Sequence, residues 1–320
     1  MPLSLVERMD NGKLLLIFRD ILILALLFAL PGAGMLLAPA VLYLHSRHGL
    51  FTGKRVVLCA VVLAVPLALW QSSLSTLLLS ATFFAAGAVL AHSAGRADSP
   101  ALSLGKAALT LAALWGLLLV AAFLLTGHNI YQELAAFLQT ALREAAQYSA
   151  GGAGSAETRA EVTAAINETA RLAPMVLPAM LLIPALLVPM AAMMLCNAVE
   201  SVCRLRRRWI DFKLWRLPDF LVWLVIALAL CLSVAGDWLA IAAVNALILL
   251  IVVYAMQGLA VIKFFFDSRR LPMPAQFVLI FLVLSLAQSF GLFLLAVLGL
   301  VEVWVDFRRL GRRKPPTQLA

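Results

Sequence analysis

Four prolines interrupt one apolar stretch of the chain, and they give the strongest sequence signal for a binding site. Within residues 172–200, proline recurs at Pro174, Pro178, Pro184 and Pro189. Each proline lacks an N–H and distorts a helix, so a carbonyl of the preceding turn loses its partner. In hydrocarbon that carbonyl must bond to protein or face a wet cavity. Two interpretations follow: a kinked helix that lines a ligand cavity, or a proline-tolerant helix held straight by its neighbours.

Three polar residues of a later apolar stretch are candidates to complete that cavity. Asn245, Tyr254 and Gln257 lie within residues 238–266. Polar side chains at membrane depth face the interior of a helix bundle, because lipid offers them no hydrogen-bond partner. We therefore group these three residues with the four prolines as the candidate ligand cavity.

Charged and aromatic residues cluster where two apolar stretches end. A basic loop contains four arginines, at Arg204, Arg206, Arg207 and Arg208. Trp215 and Arg216 follow it, and Glu302, Asp306 and Arg309 share one face by helical spacing. Glu302 is either a functional buried carboxylate or a group that Arg309 or a basic loop neutralises near the inner interface. Arginine attracts anionic lipid and also pairs with carboxylates in a planar, bidentate geometry. These residues are predicted either to anchor and orient the chain in lipid or to dock a cytoplasmic protein.

Motifs for catalysis and for metal binding are incomplete. The segment around Lys106 lacks the first glycine and the final Ser or Thr of a phosphate-binding loop. His45, His48 and His92 are all expected near the inner face, but nothing in the sequence brings His92 to the other two, so interfacial histidines are favoured over a metal site. We predict no enzyme activity, no cofactor and no metal, and keep an intramembrane enzyme as a third alternative.

The composition indicates that all of these residues belong to a membrane protein. Hydrophobic residues make up 64% of the 320 residues, charged residues 13%, and the mean hydropathy is +1.01. A soluble chain is about 45–50% apolar and about 25% charged, so this chain cannot bury its apolar surface in a water-soluble globule. Long unbroken apolar runs also disfavour a transmembrane barrel. We predict an all-α, polytopic transmembrane helical bundle that forms a single integral membrane domain over residues 1–320.

Apolar runs between charges and turn signals define the predicted spans. The ten runs are 14–30, 34–46, 56–70, 74–92, 107–126, 172–200, 218–235, 238–266, 275–288 and 290–306. The second, third and ninth are shorter than the ~20 residues of a comfortable span. The predicted count is therefore about 8–10, since 14–46 and 275–306 could each form one long helix. We favour a hairpin for 275–306, with its turn near 288–291.

The distribution of basic residues predicts the orientation. All but three of the 25 lysines and arginines fall on one side of the predicted spans, and Arg143, Arg159 and Arg171 fall on 127–171. The positive-inside rule then places both termini in the cytoplasm. Segment 127–171 becomes an extracytoplasmic helical hairpin between the fifth and sixth spans, with an amphipathic helix over 130–148 and a second helix capped by Ser155. It is predicted to be either a lid or a covering loop.

Several motifs resemble those of a known family. They are Trp215-Arg216-Leu217-Pro218-Asp219, Asn245, Tyr254-Ala255-Met256-Gln257-Gly258-Leu259-Ala260-Val261, Leu298-Gly299-Leu300 and Asp306-Phe307-Arg308. This pattern resembles the YybS-like bacterial membrane family, domain of unknown function 2232. The family carries Asp after Leu-Gly-Leu, where this chain has Val301-Glu302. The overall pattern is also similar to the substrate-binding components of energy-coupling-factor transporters.

The resemblance implies a multi-pass protein of the bacterial inner (plasma) membrane. We expect it to bind or help transport a small molecule, without an ATPase of its own. The alternative is an envelope scaffold or assembly partner that docks cytoplasmic proteins through its Arg-rich inner loops. The expected partners are the lipid bilayer, a small-molecule ligand and a cytoplasmic or coupling protein. Nucleic acid is not expected, because the basic residues follow the membrane orientation.

Overall fold

The computed structural model describes residues 11–29, 33–70, 74–150, 155–202, 209–234, 236–286 and 288–310. Within these residues the regular structure is entirely helical, which confirms the all-α prediction. The α-helices are α1 (Asn11–Ala29), α2 (Leu37–Trp70), α3 (Leu74–Gly95), α4 (Pro100–Thr126), α5 (Ile130–Ala150), α6 (Ala156–Val202), α7 (Phe220–Val234), α8 (Asp237–Ser268), α9 (Met273–Leu286) and α10 (Gln288–Val305).

Several of these helices have the length and composition of membrane spans. Four described segments are long and apolar enough to cross a bilayer: Leu77–Gly95, Pro100–Thr126, Glu157–Glu200 and Trp238–Ser268. Ala33–His45, Phe220–Val234 and Phe290–Val305 are apolar but shorter. Many large apolar side chains on these helices are exposed, as expected for helices that face lipid. The chain is therefore a helical membrane protein, whereas the count of 8–10 spans and the cytoplasmic position of the termini remain predictions.

The second and third predicted spans, 34–46 and 56–70, fall in the two parts of α2. The backbone of Gly49, with φ 77° and ψ 169°, is not helical and divides the two parts, and Gly53 lies back against His45. Glycine adopts this positive φ without the steric cost that a Cβ imposes. Helix α5 matches the predicted amphipathic helix, and the Ser155 Oγ accepts the Thr158 N–H at 3.2 Å as a cap.

The second arm of the predicted hairpin in 127–171 is not a separate helix. Helix α6 begins at Ala156 and continues without interruption to Val202, over 47 residues. The reason lies in the sequence, since neither glycine nor proline occurs between Ala156 and Pro174. The two arms of the predicted hairpin correspond to α5 and to the first turns of α6, and the hairpin as an inserted loop stays a prediction. Its position outside the membrane stays a prediction.

The described chain forms two compact units. Unit 1 contains Met1–Leu117 and Ala185–Ile210, and unit 2 contains Leu118–Pro184 and Asp211–Ala320. A single integral membrane domain over 1–320 remains a prediction. The core of unit 1 forms where α1, α2 and α3 pack together. Its buried residues include Leu24, Phe28, Leu37, Val41, Ala60, Ala64, Phe83 and Ala86.

The core of unit 2 forms where α7, α8 and α10 pack together. Its buried residues are Val222, Leu250, Tyr254, Ala255, Leu295 and Ala296. Helices α8 and α10 approach each other at two glycines: a Cβ on Gly258 would overlap the Leu295 carbonyl oxygen, and one on Gly299 would overlap the Tyr254 carbonyl oxygen. Such backbone contact between helices is possible only where side chains are absent.

Candidate functional site

The first polar cluster of unit 2 lies at the prolines of α6. Pro178 has no N–H to donate to the Pro174 carbonyl, which an unbroken helix would pair with residue 178. The Tyr131 hydroxyl, from α5, donates to that carbonyl at 2.8 Å. A side chain of a neighbouring helix therefore satisfies the backbone group that the proline frees.

Asn245 of α8 bonds to the next backbone pair of α6. An unbroken helix would join the Ala179 N–H to the Met175 carbonyl. Here the Asn245 Oδ1 accepts the Ala179 N–H at 2.7 Å, and its Nδ2 donates to the Met175 carbonyl at 2.7 Å. The same Nδ2 also donates to the Ile241 carbonyl in its own helix, at 2.8 Å. The buried carboxamide thus bridges the two groups of α6 on either side of Pro178.

The structure divides the predicted ligand cavity. Asn245 bonds to Met175 and Ala179, on either side of Pro178, whereas Gln257 lies in a second cluster with α10 and Tyr254 packs in the core of α7, α8 and α10. Of the remaining two prolines, Pro184 is half-buried in unit 2, and Pro189 is fully buried in unit 1. Ligand binding by any of these residues stays a prediction.

Gln257 is the centre of the second cluster. Its Oε1 accepts the Leu217 N–H at 3.0 Å, and its Nε2 donates to the Gly299 carbonyl at 2.9 Å. Both bonds go to backbone groups, so one side chain joins α8 to α10 and to the segment that precedes α7. Gln257 is 3% exposed, so it faces the bundle rather than lipid, as its polarity predicted.

Arg308 is the most buried charged group of this cluster. Its side chain is 0% exposed, and its Nε donates to the Glu302 Oε1 at 2.7 Å. Its two terminal nitrogens donate to the carbonyl oxygens of Lys213 at 2.6 Å and of Trp215 at 2.8 Å. Glu302 is itself only 3% exposed. A buried charge is tolerated only when it is paired and hydrogen-bonded, and Arg308 meets both conditions.

Glu302 pairs with Arg308 and not with Arg309, which was one of the partners considered from the sequence. Helix α10 ends at Val305, and Asp306 and Arg309 have φ angles of 46° and 53°, so the chain turns sharply after the helix. Glu302, Asp306 and Arg309 therefore do not share a helical face. The Asp306 side chain accepts the Leu310 N–H at 2.8 Å, and Arg309 is exposed. The turn places Arg308, rather than its neighbour, against Glu302.

A network of side chains joins the ends of three helices in unit 2. The Lys213 Nζ lies 3.0 Å from the Asp267 Oδ2, at the end of α8, while its carbonyl bonds to Arg308 beyond α10. Gln276, in the first turn of α9, bonds to Asp267 and Lys263 at 3.0 Å each. These contacts place the start of α9 close to the end of α8 and to the end of α10. Helices α9 and α10 therefore run in opposite directions. This supports the predicted hairpin, although 288–291 form the first turn of α10 rather than the connection.

Three polar atoms of this cluster have unused hydrogen-bonding capacity. Within the described residues, the Trp215 Nε1, the Tyr254 hydroxyl and the Glu302 Oε2 are buried without a hydrogen-bond partner. They comprise one donor, one group that can donate or accept, and one acceptor. Trp215 was predicted as an interfacial contact, but its ring packs edge-on against Phe212, and its carbonyl bonds to Arg308.

The predicted docking surface is only partly described. Arg204, Arg206, Arg207 and Arg208 lie outside the described residues. Arg216 is exposed, and its guanidinium lies 3.3 Å from the Asp219 carboxylate. A role of these arginines in lipid or protein contact therefore stays a prediction.

Unit 1 contains two ion-pair clusters that the sequence analysis did not identify. Asp20, which is buried in α1, bonds to the Arg47 Nη1 at 3.3 Å and to the His48 Nε2 at 2.9 Å, and so ties α1 to α2. Between α3 and α4, the Lys106 Nζ donates to Asp98 at 2.6 Å and holds the pKa of that carboxyl below its ordinary value. No spacing rule joins Asp20 to His48, because their contact depends on helix packing.

The sequence model of a family described as a predicted membrane protein, DUF2232, matches residues 19–303. This range contains Gln257, its partners Leu217 and Gly299, and the buried Glu302, and it ends before Arg308. No curated protein and no solved structure matches the chain.

Proposed function

The chain belongs to the family of predicted membrane proteins DUF2232, and on this premise we propose that it is a small-molecule-binding component of a bacterial inner membrane. The proposal includes a part in transport without an ATPase of its own, and no catalytic role. The observation that carries it is the break in the backbone hydrogen bonds of α6 at Pro178, where the Asn245 carboxamide bridges Ala179 and Met175. The likeness to energy-coupling-factor components remains an expectation from the sequence.

A helix whose backbone groups bond to side chains of other helices suits a protein that must change shape around a ligand. Interrupted helices in transporters place backbone polar groups where a substrate can bond to them. Here the backbone groups beside Pro178 bond to side chains of two other helices, and such bonds can be exchanged for bonds to a ligand. Met175 and Met180, next to the break, are 44% and 49% exposed. Methionine is flexible and polarizable, so these two side chains could adapt to an apolar part of the ligand.

Replacing Asn245 tests this proposal. We expect N245A to destabilise the protein by about 1–3 kcal/mol, because two backbone groups of α6 lose their partner. In a P178A background, N245A should lower the free energy of unfolding much less. Replacing the proline restores a backbone N–H, so the helix can form its own i→i−4 hydrogen bonds at this point. Thermal unfolding of the four proteins in one detergent measures this coupling.

The functional readout is native mass spectrometry of the gently purified protein. We expect the unmodified chain to retain a small molecule, and both P178A and the N245A/P178A double variant to lose it while remaining folded. Retention of the same molecule by these two variants would refute a ligand site at the break in α6. The scaffold alternative depends on the arginines outside the described residues, and no described contact favours it.

A further inference from the structure

A groove in unit 1 combines an apolar wall with basic side chains. It has a volume of about 320 Å³ and lies between α3 and the part of α2 that follows Gly49. Its basic lining residues are His45, Lys54 and His92. The structure thus places His45 and His92 in one site, although no sequence pattern joined them. Its volume lies within the range of small-molecule sites, which is about 300–1,000 Å³.

The lining residues are ordered along the groove. On α2 the lining residues run from Lys54 to Val61, and on α3 from Phe84 to His92. Helix α3 runs parallel to the part of α2 before Gly49, because Gly87 packs on Ala38, and the part after Gly49 runs back, because Gly53 packs on His45. Both exposed basic residues, Lys54 and His92, therefore lie at one end of the groove, and the other end is apolar. The distance along α2 from Lys54 to Val61 is about 10 Å, at 1.5 Å per residue.

His45 forms the base of the charged end. It is 3% exposed, and its Nδ1 donates to the Val41 carbonyl at 2.8 Å, which fixes the ring. Gly53 lies directly against this ring, since a Cβ there would be 3.3 Å from the His45 Cγ. A larger residue at position 53 would therefore displace the ring.

One side of the groove is apolar and exposed. Leu58, on its apolar wall, is 65% exposed, and α3 contains a segment with the length and composition of a membrane span. An apolar opening on such a helix faces acyl chains, whereas the basic end attracts anionic headgroups. This arrangement matches a molecule that has one negative group attached to a hydrocarbon chain.

We propose that this groove binds an anionic phospholipid, with the headgroup phosphate at Lys54 and His92 and one acyl chain along Val57, Val61 and Phe84. Lysine donates from a flexible stem to phosphate, and histidine donates from the ring edge. The apolar wall must be covered by hydrocarbon, which free phosphate lacks. The site lies wholly within unit 1, so it is independent of the proposed site at α6.

The test is native mass spectrometry of the full chain in detergent, titrated with phosphatidylglycerol or phosphatidylcholine. We expect one tightly retained phosphatidylglycerol, and about tenfold weaker retention in K54Q/H92Q, because two contacts to the phosphate are lost. The matched control is R55Q, which removes a neighbouring exposed charge that does not line the groove. It should bind like the unmodified chain.

A second variant tests the apolar wall. L58W fills the open side of the groove and keeps every charge, so it should also weaken phosphatidylglycerol binding. Thermal unfolding checks that each variant remains folded. Equal retention of phosphatidylcholine, full binding by L58W, or displacement of the lipid by millimolar inorganic phosphate alone would overturn the proposal. The last result would assign a free-phosphate site to the same residues.

Discussion

Replacing Arg308 with methionine should destabilise the protein by about 3–5 kcal/mol, the cost of leaving a buried partner charge uncompensated. Methionine fills similar space but cannot donate. The Glu302 carboxylate would then be buried without its counter-charge, and the carbonyl oxygens of Lys213 and Trp215 would lose their donors. Thermal and denaturant unfolding in detergent would measure the loss.

Two further variants separate this mechanism from a general effect of charge removal. R309M removes the same charge one residue away, where the side chain is exposed, and should change stability by less than about 0.5 kcal/mol. Adding E302L to R308M removes the stranded carboxylate and should recover part of the loss. Equal losses of stability in R308M and R309M would mean that the bonds of the Arg308 guanidinium to Glu302, Lys213 and Trp215 do not stabilise unit 2.

Adding a single methyl group at Gly299 or Gly258 should separate α8 from α10. The new Cβ would overlap the Tyr254 carbonyl oxygen in G299A and the Leu295 carbonyl oxygen in G258A. The obstacle is backbone rather than the end of a flexible side chain, so the helices themselves must move. We expect each variant to lose at least the roughly 1–3 kcal/mol typical of overpacking, and to lose the Gln257 bond to Gly299 as well.

The chain provides matched controls for this experiment. Gly105 and Gly116 lie in α4, and a Cβ at either position would meet no atom within 4 Å. G105A and G116A should be neutral or stabilise the protein by about 0.5–1 kcal/mol, because alanine favours the helix. The comparison would be measured as melting temperatures in one detergent. If all four variants behaved alike, close packing of α8 on α10 would be contradicted.

Composition and helical periodicity predicted the class of the protein and most of its helices. Polarity at membrane depth also correctly indicated that Asn245 and Gln257 face the bundle. What they bond to was not predictable, because Asn245 and Pro178 are 67 positions apart and meet only through packing. The Arg308 pairing was missed for a different reason. Helical spacing was extended past Val305, where the backbone turns with positive φ at residues other than glycine.

Helix α6 includes the stretch that was predicted as a separate helix after Ser155, and this length has a mechanical consequence. From Pro178 back to Ala156 the helix is about 33 Å long, at 1.5 Å per residue. Its first turns carry exposed charges, among them Glu157 and Glu161, whereas the break lies in the apolar part. A rotation of only about 10° at the break would carry Ala156 through about 6 Å, over an arm of that length. The bonds of Asn245 and Tyr131 lie at the point about which such a rotation would occur, so exchanging these hydrogen bonds would displace the charged surface at the far end of the helix.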